Sequence, residues 1–301
     1  MSTETLALPV QNNRLGALLL TGSAAVFTAE VILVRMVNGE ASNEQIIFSR
    51  GLVQLIVVSI ILSVRYRKDV FRSVRTNSKF LHLCRGLTSL VCWWLYYKSF
   101  QVLDLALATT VTFTSALFVV AFVAPLLGEK VTKIRWAATI LGFLGVAYAS
   151  GNSGFHFDPS ILYGLGAAAG GSVLVYLNRL LSRSESTTTI MFYIGLITTL
   201  GTLPGAVGNW HSLNVETWLV VMSSASLGTL GMMLTIEAYR VGEVSALAPF
   251  PYIRLVFAIV AGFLFFSEIP QINTLIGSGL IVFCALIANW KQKKIFRTIG
   301  A

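Results

Sequence analysis

Two stretches of the chain align without a gap: SFQVLDLALATTVTFTSALFVVAFVAPLLGEK from Ser99 and AYRVGEVSALAPFPYIRLVFAIVAGFLFFSEI from Ala238. At this offset of 139, Val102 meets Val241, Asp104 meets Glu243, Phe118 meets Phe257 and Glu129 meets Glu268. Further on, Leu141 meets Leu280 and Ala149 meets Ala288. The two halves also begin alike, since Gly16, Gly22 and Arg35 match Gly164, Gly170 and Arg183 at an offset of 148. Apolar identities arise by chance among Leu-rich helices. An acidic residue closing each run is harder to obtain that way, and it argues for an internal duplication.

Working outward, a helix rises about 1.5 Å per residue, so roughly 20 apolar residues cross the hydrocarbon core. Ten such segments can be marked, near 14–36, 44–64, 80–99, 104–127, 133–150, 160–182, 187–208, 216–238, 245–267 and 272–290. The connections are short and hold turn residues such as Asn38-Gly39, Gly151-Asn152, Gly208-Asn209 and Pro270. The expected fold is an all-α integral membrane protein of ten transmembrane helices. Residues 1–150 form the first five-helix repeat and residues 151–301 the second. An odd number of spans per repeat inverts the second copy, which puts Glu129 on the inner side and Glu268 on the outer. Inverted repeats are a mark of many secondary transporters.

Composition agrees. Of 301 residues, 55% are apolar and 12% charged, against about 25% charged in a typical soluble protein; mean hydropathy is +0.76. The net charge of +9 would suggest nucleic acid as a partner of a soluble protein. Here its placement matters more. Arg65, Arg67, Lys68, Arg72, Arg75 and Lys79 crowd the loop after the second span, and that loop is expected in the cytoplasm. Alternation then puts Lys130, Lys133, Arg135, Arg179, Arg183, Arg240 and the Lys291–Arg297 tail on the same side, with both termini inside. Cys84, Cys92 and Cys284 show no CxxC spacing, so neither a disulfide framework nor a metal site is expected. The first dozen residues lack a basic n-region, and the first apolar run is read as a span rather than a cleaved signal.

Charges inside a bilayer are expensive, about 2.5–3.5 kcal/mol each at a helix centre on insertion scales. Glu30, Arg50 and Arg254 stand out. Glu30 and Arg50 lie at matching depths on antiparallel neighbours, which suits a packing salt bridge, a substrate site or a proton-coupling site at Glu30. Arg254 follows Pro249 and Pro251, with Tyr252 between, near the middle of the expected ninth span. Prolines free backbone carbonyls, broken spans line transporter sites, and a guanidinium pairs bidentately with carboxylate or phosphate. The plainer alternative is a proline kink whose Arg pairs with Glu30 or a carbonyl. Arg85, Lys98 and Glu237 lie nearer the interfaces, where long side chains snorkel. In the fourth span Thr109, Thr112 and Ser115 share a face, either toward a cavity or bonded back to their own helix. Trp93 and Tyr97 share a face of the third span, either as an interfacial belt or as rings for an aromatic or sulfonium group. Gly142, Gly145, Gly164, Gly166, Gly170, Gly171, Gly277 and Gly279 are expected to let helices approach closely. Asn178 aligns with Glu30 and is a weaker site candidate.

The tandem five-helix pattern, the acidic residue closing spans four and nine, and the segment APFPYIRLVFAIVAGFLFFSE resemble the drug/metabolite transporter superfamily, EamA type. The stretch CRGLTSLVCWW followed by LALATTVTFTSALF looks most like its metabolite branch, which includes S-adenosylmethionine carriers. The resemblance implies inner-membrane transport of an amino acid, S-adenosylmethionine or a similar zwitterion, with a riboflavin-like vitamin, an opine metallophore or drug export as alternatives. It also implies an Arg commonly found at the place of Arg50. Expected partners are a small-molecule substrate and the lipid bilayer, with a second copy of the chain as a further candidate and no nucleic acid or cofactor. A membrane enzyme would need clustered His, Cys, Asp or Glu, whereas His82, His156 and His211 are scattered. A channel would need a charged ring or carbonyl filter, and a nucleotide-driven pump a phosphate-binding loop; neither pattern occurs.

Overall fold

A computed structural model describes residues 12–66, 74–123, 126, 133–150, 158–181, 184–241 and 250–290. The helices are α1 (Asn13–Met36), α2 (Asn43–Tyr66), α3 (Lys79–Val102), α5 (Lys133–Ser150), α6 (Ile161–Leu181), α7 (Thr187–Gly208), α8 (Val215–Val241), α9 (Ile253–Phe266) and α10 (Ile272–Trp290). The fourth span, α4, comes in pieces: Leu105–Thr112, Ser115–Phe118 and a π-helical turn Val119–Val123. No strand occurs among the described residues.

Local chemistry sets several helix starts. The Asn12 Oδ1 accepts from the Leu15 N–H at 3.0 Å. Ser42 and Gln45 form a reciprocal capping box at the head of α2, with contacts of 3.2 and 3.1 Å. Ser186 caps α7 through the Thr189 N–H at 3.1 Å. At the far end of α9, Ser267 adopts a left-handed φ of 54° and the Glu268 N–H returns to the Gly262 carbonyl at 3.0 Å, which closes the helix.

The distribution of side chains is inverted relative to a soluble protein. Large apolar residues such as Leu18, Val64, Phe80, Leu264 and Phe283 face outward, while Ser23, Glu30, Arg50, Gln54, Arg85 and Ser89 are buried. Apolar outside and polar inside is what a lipid solvent demands. Among the described residues, six helices are long and apolar enough to cross a membrane, and Trp136–Ala149, Phe250–Phe266 and Ile272–Cys284 are shorter apolar segments. α3 matches the longer ones in length but carries Lys79, Arg85 and Lys98.

The main packing partners are α1 with α8, α3 with α6, α2 with α7 and α5 with α10, while α4 packs chiefly on α6 and less on α9. Exchanging every helix for its repeat counterpart five places on turns the first pair into the second and leaves α2 with α7, α5 with α10 and α4 with α9 unchanged. A pseudo-two-fold axis between the halves has that consequence, and an odd number of spans inverts one half against the other. Small residues permit close contact along this axis: a Cβ on Gly145 would stand 3.1 Å from the Gly277 carbonyl. Gly279 has nothing within 4 Å and serves no such contact, contrary to expectation. At one end, Glu268 pairs with Arg35 and accepts from the Leu105 N–H at 2.9 Å, tying α1, α4 and α9 together. Burial pushes the Glu268 carboxyl up from its ordinary range, against the opposing pull of the Leu105 N–H and Arg35.

Two expectations about spans are corrected. A helix break is expected at Pro249 and Pro251, but Arg254 does not lie near the middle of α9. The helix starts at Ile253, after a 3-10 turn over Phe250–Tyr252, so Arg254 lies in its first turn. Pro251 sits in that turn and Pro249 falls outside the described residues. α4 is interrupted, at Phe113-Thr114. There Thr110, Thr112 and Thr114 turn their hydroxyls back onto Ala106, Thr109 and Val111 carbonyls at 2.7, 2.9 and 2.6 Å, which loosens the helical ladder.

Candidate functional site

The break in α4 and the start of α9 coincide under the internal repeat. Phe113 and Tyr252 are equivalent at the offset of 139, as are Ser115 and Arg254. Across the axis the rings of Phe113 and Tyr252 meet edge to face, 5.2 Å between centroids. Beside them lies a cavity of about 280 Å³. A helix break and a helix start in corresponding positions, flanking a cavity at the repeat interface, are a transporter's way of exposing backbone and charge inside a bilayer.

Six of the seven candidate residues named from sequence line this cavity: Glu30, Arg50, Trp93, Tyr97, Thr112 and Arg254. Tyr252 does not reach the wall and stands one ring behind it, against Phe113. The Thr112 hydroxyl is turned to its own helix, so it presents little polarity to the space. Trp93 and Tyr97 are buried, 8% and 2% exposed, which rules out an interfacial belt at these two positions.

Glu30 and Arg50 are ion-paired, as matching depths suggested. Arg50 Nη1 also donates to the Tyr97 hydroxyl at 2.8 Å, and that hydroxyl donates to Glu30 at 2.5 Å. The Arg50 guanidinium lies 4.4 Å from the centre of the Trp93 ring, so one face of that indole is taken by the protein's own cation. Nη2 reaches the Gly228 carbonyl at 3.4 Å. A side chain at position 228 would collide with both members of the pair.

Arg254 differs. It donates to the Tyr96 hydroxyl and lies 5.5–5.6 Å from the centroids of Phe27, Tyr96 and Phe100. It does not pair with Glu30, and no carboxylate among the described residues is in salt-bridge reach of it. Its Nε is buried without a partner. The cavity therefore holds two guanidinium groups and one carboxylate. Its position in the first turn of α9 adds the positive end of a helix dipole. Together these features favour an anionic group of a ligand.

Arg85 is the second correction at the level of side chains. It does not snorkel: it is 4% exposed, and Nε donates to Asn178 Oδ1 of α6 at 2.7 Å. Tyr96, from the aromatic cluster Trp93, Trp94, Tyr96 and Tyr97 read as a candidate stacking site, also lines the cavity, as do Phe27, Phe113 and Met232, which sequence reasoning did not single out as a site. The available signal was spacing, since Phe27 precedes Glu30 by one helical turn. No group of three or more His, Cys, Asp or Glu residues that could hold a metal ion occurs among the described residues.

A profile of the EamA-like transporter family matches residues 14–151 and 158–290. The chain is 26% identical over 238 residues to an S-adenosylmethionine uptake transporter of Rickettsia bellii, covering 79% of this chain and 81% of that one. It is 28% identical over 243 residues to a riboflavin transporter of Vibrio cholerae, with coverage of 79% and 81%. It is also 26% identical over 290 residues to the pseudopaline exporter CntI of Pseudomonas aeruginosa, with coverage of 93% and 97%. A crystal structure at 21% identity shares the fold with a TM-score of 0.59, over 93% of this chain and 98% of that one.

Proposed function

The chain belongs to the EamA-like transporter family and is a multi-pass membrane transporter of a small molecule rather than an enzyme; from that premise we propose that it carries a carboxylate-bearing zwitterion across the cytoplasmic membrane by alternating access. Amino acids and S-adenosylmethionine are the leading members of that class. The observation that carries the reading is Arg254, a guanidinium among three aromatic rings in a cavity whose one lining carboxylate, Glu30, is paired with Arg50. The substrate carboxylate takes the guanidinium and the head of α9, while its apolar body lies on Phe27, Tyr96 and Phe113.

In this reading the halves 1–150 and 151–301 rock about the pseudo-two-fold axis and open the cavity to each side in turn. The basic loops face the cytoplasm, as do both termini. Glu30 is the candidate for proton coupling: a protonated Glu30 forfeits the charge that Arg50 pairs with, so proton binding and the ion pair exclude each other. Retention of full concentrative transport by Glu30→Gln removes that role.

The test is binding and counterflow with purified protein. S-adenosyl-L-methionine, methionine and riboflavin are screened for thermal stabilisation, since a ligand of the folded state raises its stability by mass action. A hit is then followed by counterflow in proteoliposomes, where a carrier saturates. Arg254→Gln is expected to abolish binding of the carboxylate-bearing hit. Unchanged affinity in that variant refutes the assignment.

A further inference from the structure

Four arginines in the described part of the bundle are largely buried or ion-paired: Arg35, Arg50, Arg85 and Arg254. Arg35 has Glu268 and Arg50 has Glu30. Arg254 faces the cavity already described. Arg85 lies elsewhere, and its partners are neutral: the Asn178 amide oxygen and the Ser89 hydroxyl. Glu185, near the same end of the bundle, is engaged by Thr76 and lies 3.8 Å from His82. No carboxylate among the described residues pairs with Arg85.

The inverted repeat relates the partners of Arg85 to those of Arg50. Asn178 is the counterpart of Glu30 at the offset of 148, and Ser89 is the counterpart of Gly228 at the offset of 139. Glu30 and Gly228 hold Arg50 near the end of the bundle where Asn38 meets the Gln101 carbonyl. Asn178 and Ser89 hold Arg85 near the opposite end, where Thr76 meets Glu185. The residues that hold the two arginines thus correspond under the repeat, while the arginines themselves sit on non-equivalent helices, Arg50 on α2 and Arg85 on α3. At Arg50, a carboxylate cancels the guanidinium. At Arg85, an amide stands in the carboxylate's place and cancels nothing.

Arg85 is also connected to the cavity. It lies eleven residues before Tyr96, about 16 Å along α3 and within about 20° of the same face. Ser89 and the cavity-lining Cys92 occupy the turns between them. On the opposing helix α6, Asn178 is exposed although Arg85 is buried. An amide at that depth is stable only where it meets water or protein rather than lipid.

We propose that Arg85 is a second anion-binding station, which takes the substrate carboxylate between the cavity and the Lys79 end of the bundle along the seam of α3 and α6. This rests on the transport reading of the cavity and extends it. Gly170 packs on Cys92, where a Cβ would stand 3.2 Å from the Cys92 Cβ, so the seam is closed in this structure and opens as the halves rock.

The experiment restores the missing carboxylate. Asn178→Asp is close to isosteric and gives Arg85 an internal anion, as Glu30 does for Arg50; Arg85→Gln removes the guanidinium. Thermal unfolding of the full-length protein is measured with sodium acetate against sodium chloride at equal ionic strength, in an Arg254→Gln background so that the cavity arginine is silent. Acetate is expected to stabilise the background protein and to lose that effect once either Asn178→Asp or Arg85→Gln is added. An acetate effect of equal size in all three overturns the proposal.

The second arm is counterflow of radiolabelled S-adenosyl-L-methionine in oriented proteoliposomes, with Arg254 intact. Asn178→Asp is expected to raise KM from the Lys79 side by roughly ten- to a hundredfold, the worth of one charge-assisted hydrogen bond, and to spare KM from the other side. Equal KM values on both sides in wild type and variant overturn the station. Absence of counterflow by the wild type strikes the substrate class proposed above, and the acetate arm then decides the station alone.

Discussion

Replacing Glu30 by Gln isolates the energetics on which the cavity wall depends. Glu30 is 1% exposed and Arg50 3%, so neither charge has water to fall back on when its partner is removed. Without the carboxylate, Arg50 keeps only the Tyr97 hydroxyl at 2.8 Å and the Gly228 carbonyl at 3.4 Å; its Nε already has no acceptor. Stranding one member of a buried pair costs about 3–5 kcal/mol. At about 2 °C per kcal/mol for a chain of this size, each single change, Glu30→Gln or Arg50→Met, lowers Tm by roughly 6–10 °C. Removing both removes the stranded charge along with its partner. The double variant is then expected to be more stable than either single one, because a buried pair as a whole contributes little against apolar replacements. Thermal unfolding of the four proteins in one detergent, followed by tryptophan fluorescence, completes the cycle. A double variant whose loss equals the sum of the single losses means the two residues do not act as a pair, and the argument for this wall of the cavity fails.

Other outcomes test separate parts of the structure. Tyr96→Phe removes the hydroxyl that Arg254 donates to; the freed guanidinium wanders, and substrate KM is expected to rise about tenfold, read by counterflow. Gly277→Ala brings a methyl to 2.6 Å from the Ala149 Cβ and 2.9 Å from its amide nitrogen, separating α5 from α10 at a cost of about 1–3 kcal/mol. Gly279→Ala, with nothing within 4 Å, changes stability by no more than about 0.5 kcal/mol, and thermal unfolding of the two together checks the packing. The Glu268 carboxyl is held above its ordinary range by burial, so the folded state binds that proton more tightly than the unfolded one. Its contribution is full at low pH and is lost as pH rises through the raised value. The Tm of wild type relative to Glu268→Gln is therefore expected to fall as pH rises above the ordinary carboxylate range, and a difference that grows with pH contradicts the burial argument.

Much of the site was legible in the chain because burying charge in lipid is costly enough to mark residues out. Glu30, Arg50 and Arg254 were visible on that ground alone, and all three line one cavity. Arg85 was misjudged because depth along a helix says nothing about which face meets lipid. Five residues from the start of a span, a long side chain can escape to the interface or turn inward to Asn178, and only the neighbouring helix decides. Tyr252 shows the complementary limit, since adjacency to Arg254 in sequence placed it on a different face, behind Phe113.

What the sequence determined by itself is the approximate placing of the spans, the duplication and the residues too polar for lipid. These are local sums: hydropathy over about 20 residues, and identities at a constant offset. The tertiary structure alone decided that α4 breaks at Phe113-Thr114, that Arg254 sits in the first turn of α9, that Trp93 holds a protein cation on one face, that Arg254 has an aromatic rather than an acidic environment, and that Arg85 meets an amide where Arg50 meets a carboxylate. Each of those depends on side chains brought together from helices far apart in the chain. Their mutual distance is set by packing around the pseudo-two-fold axis, which no single segment encodes.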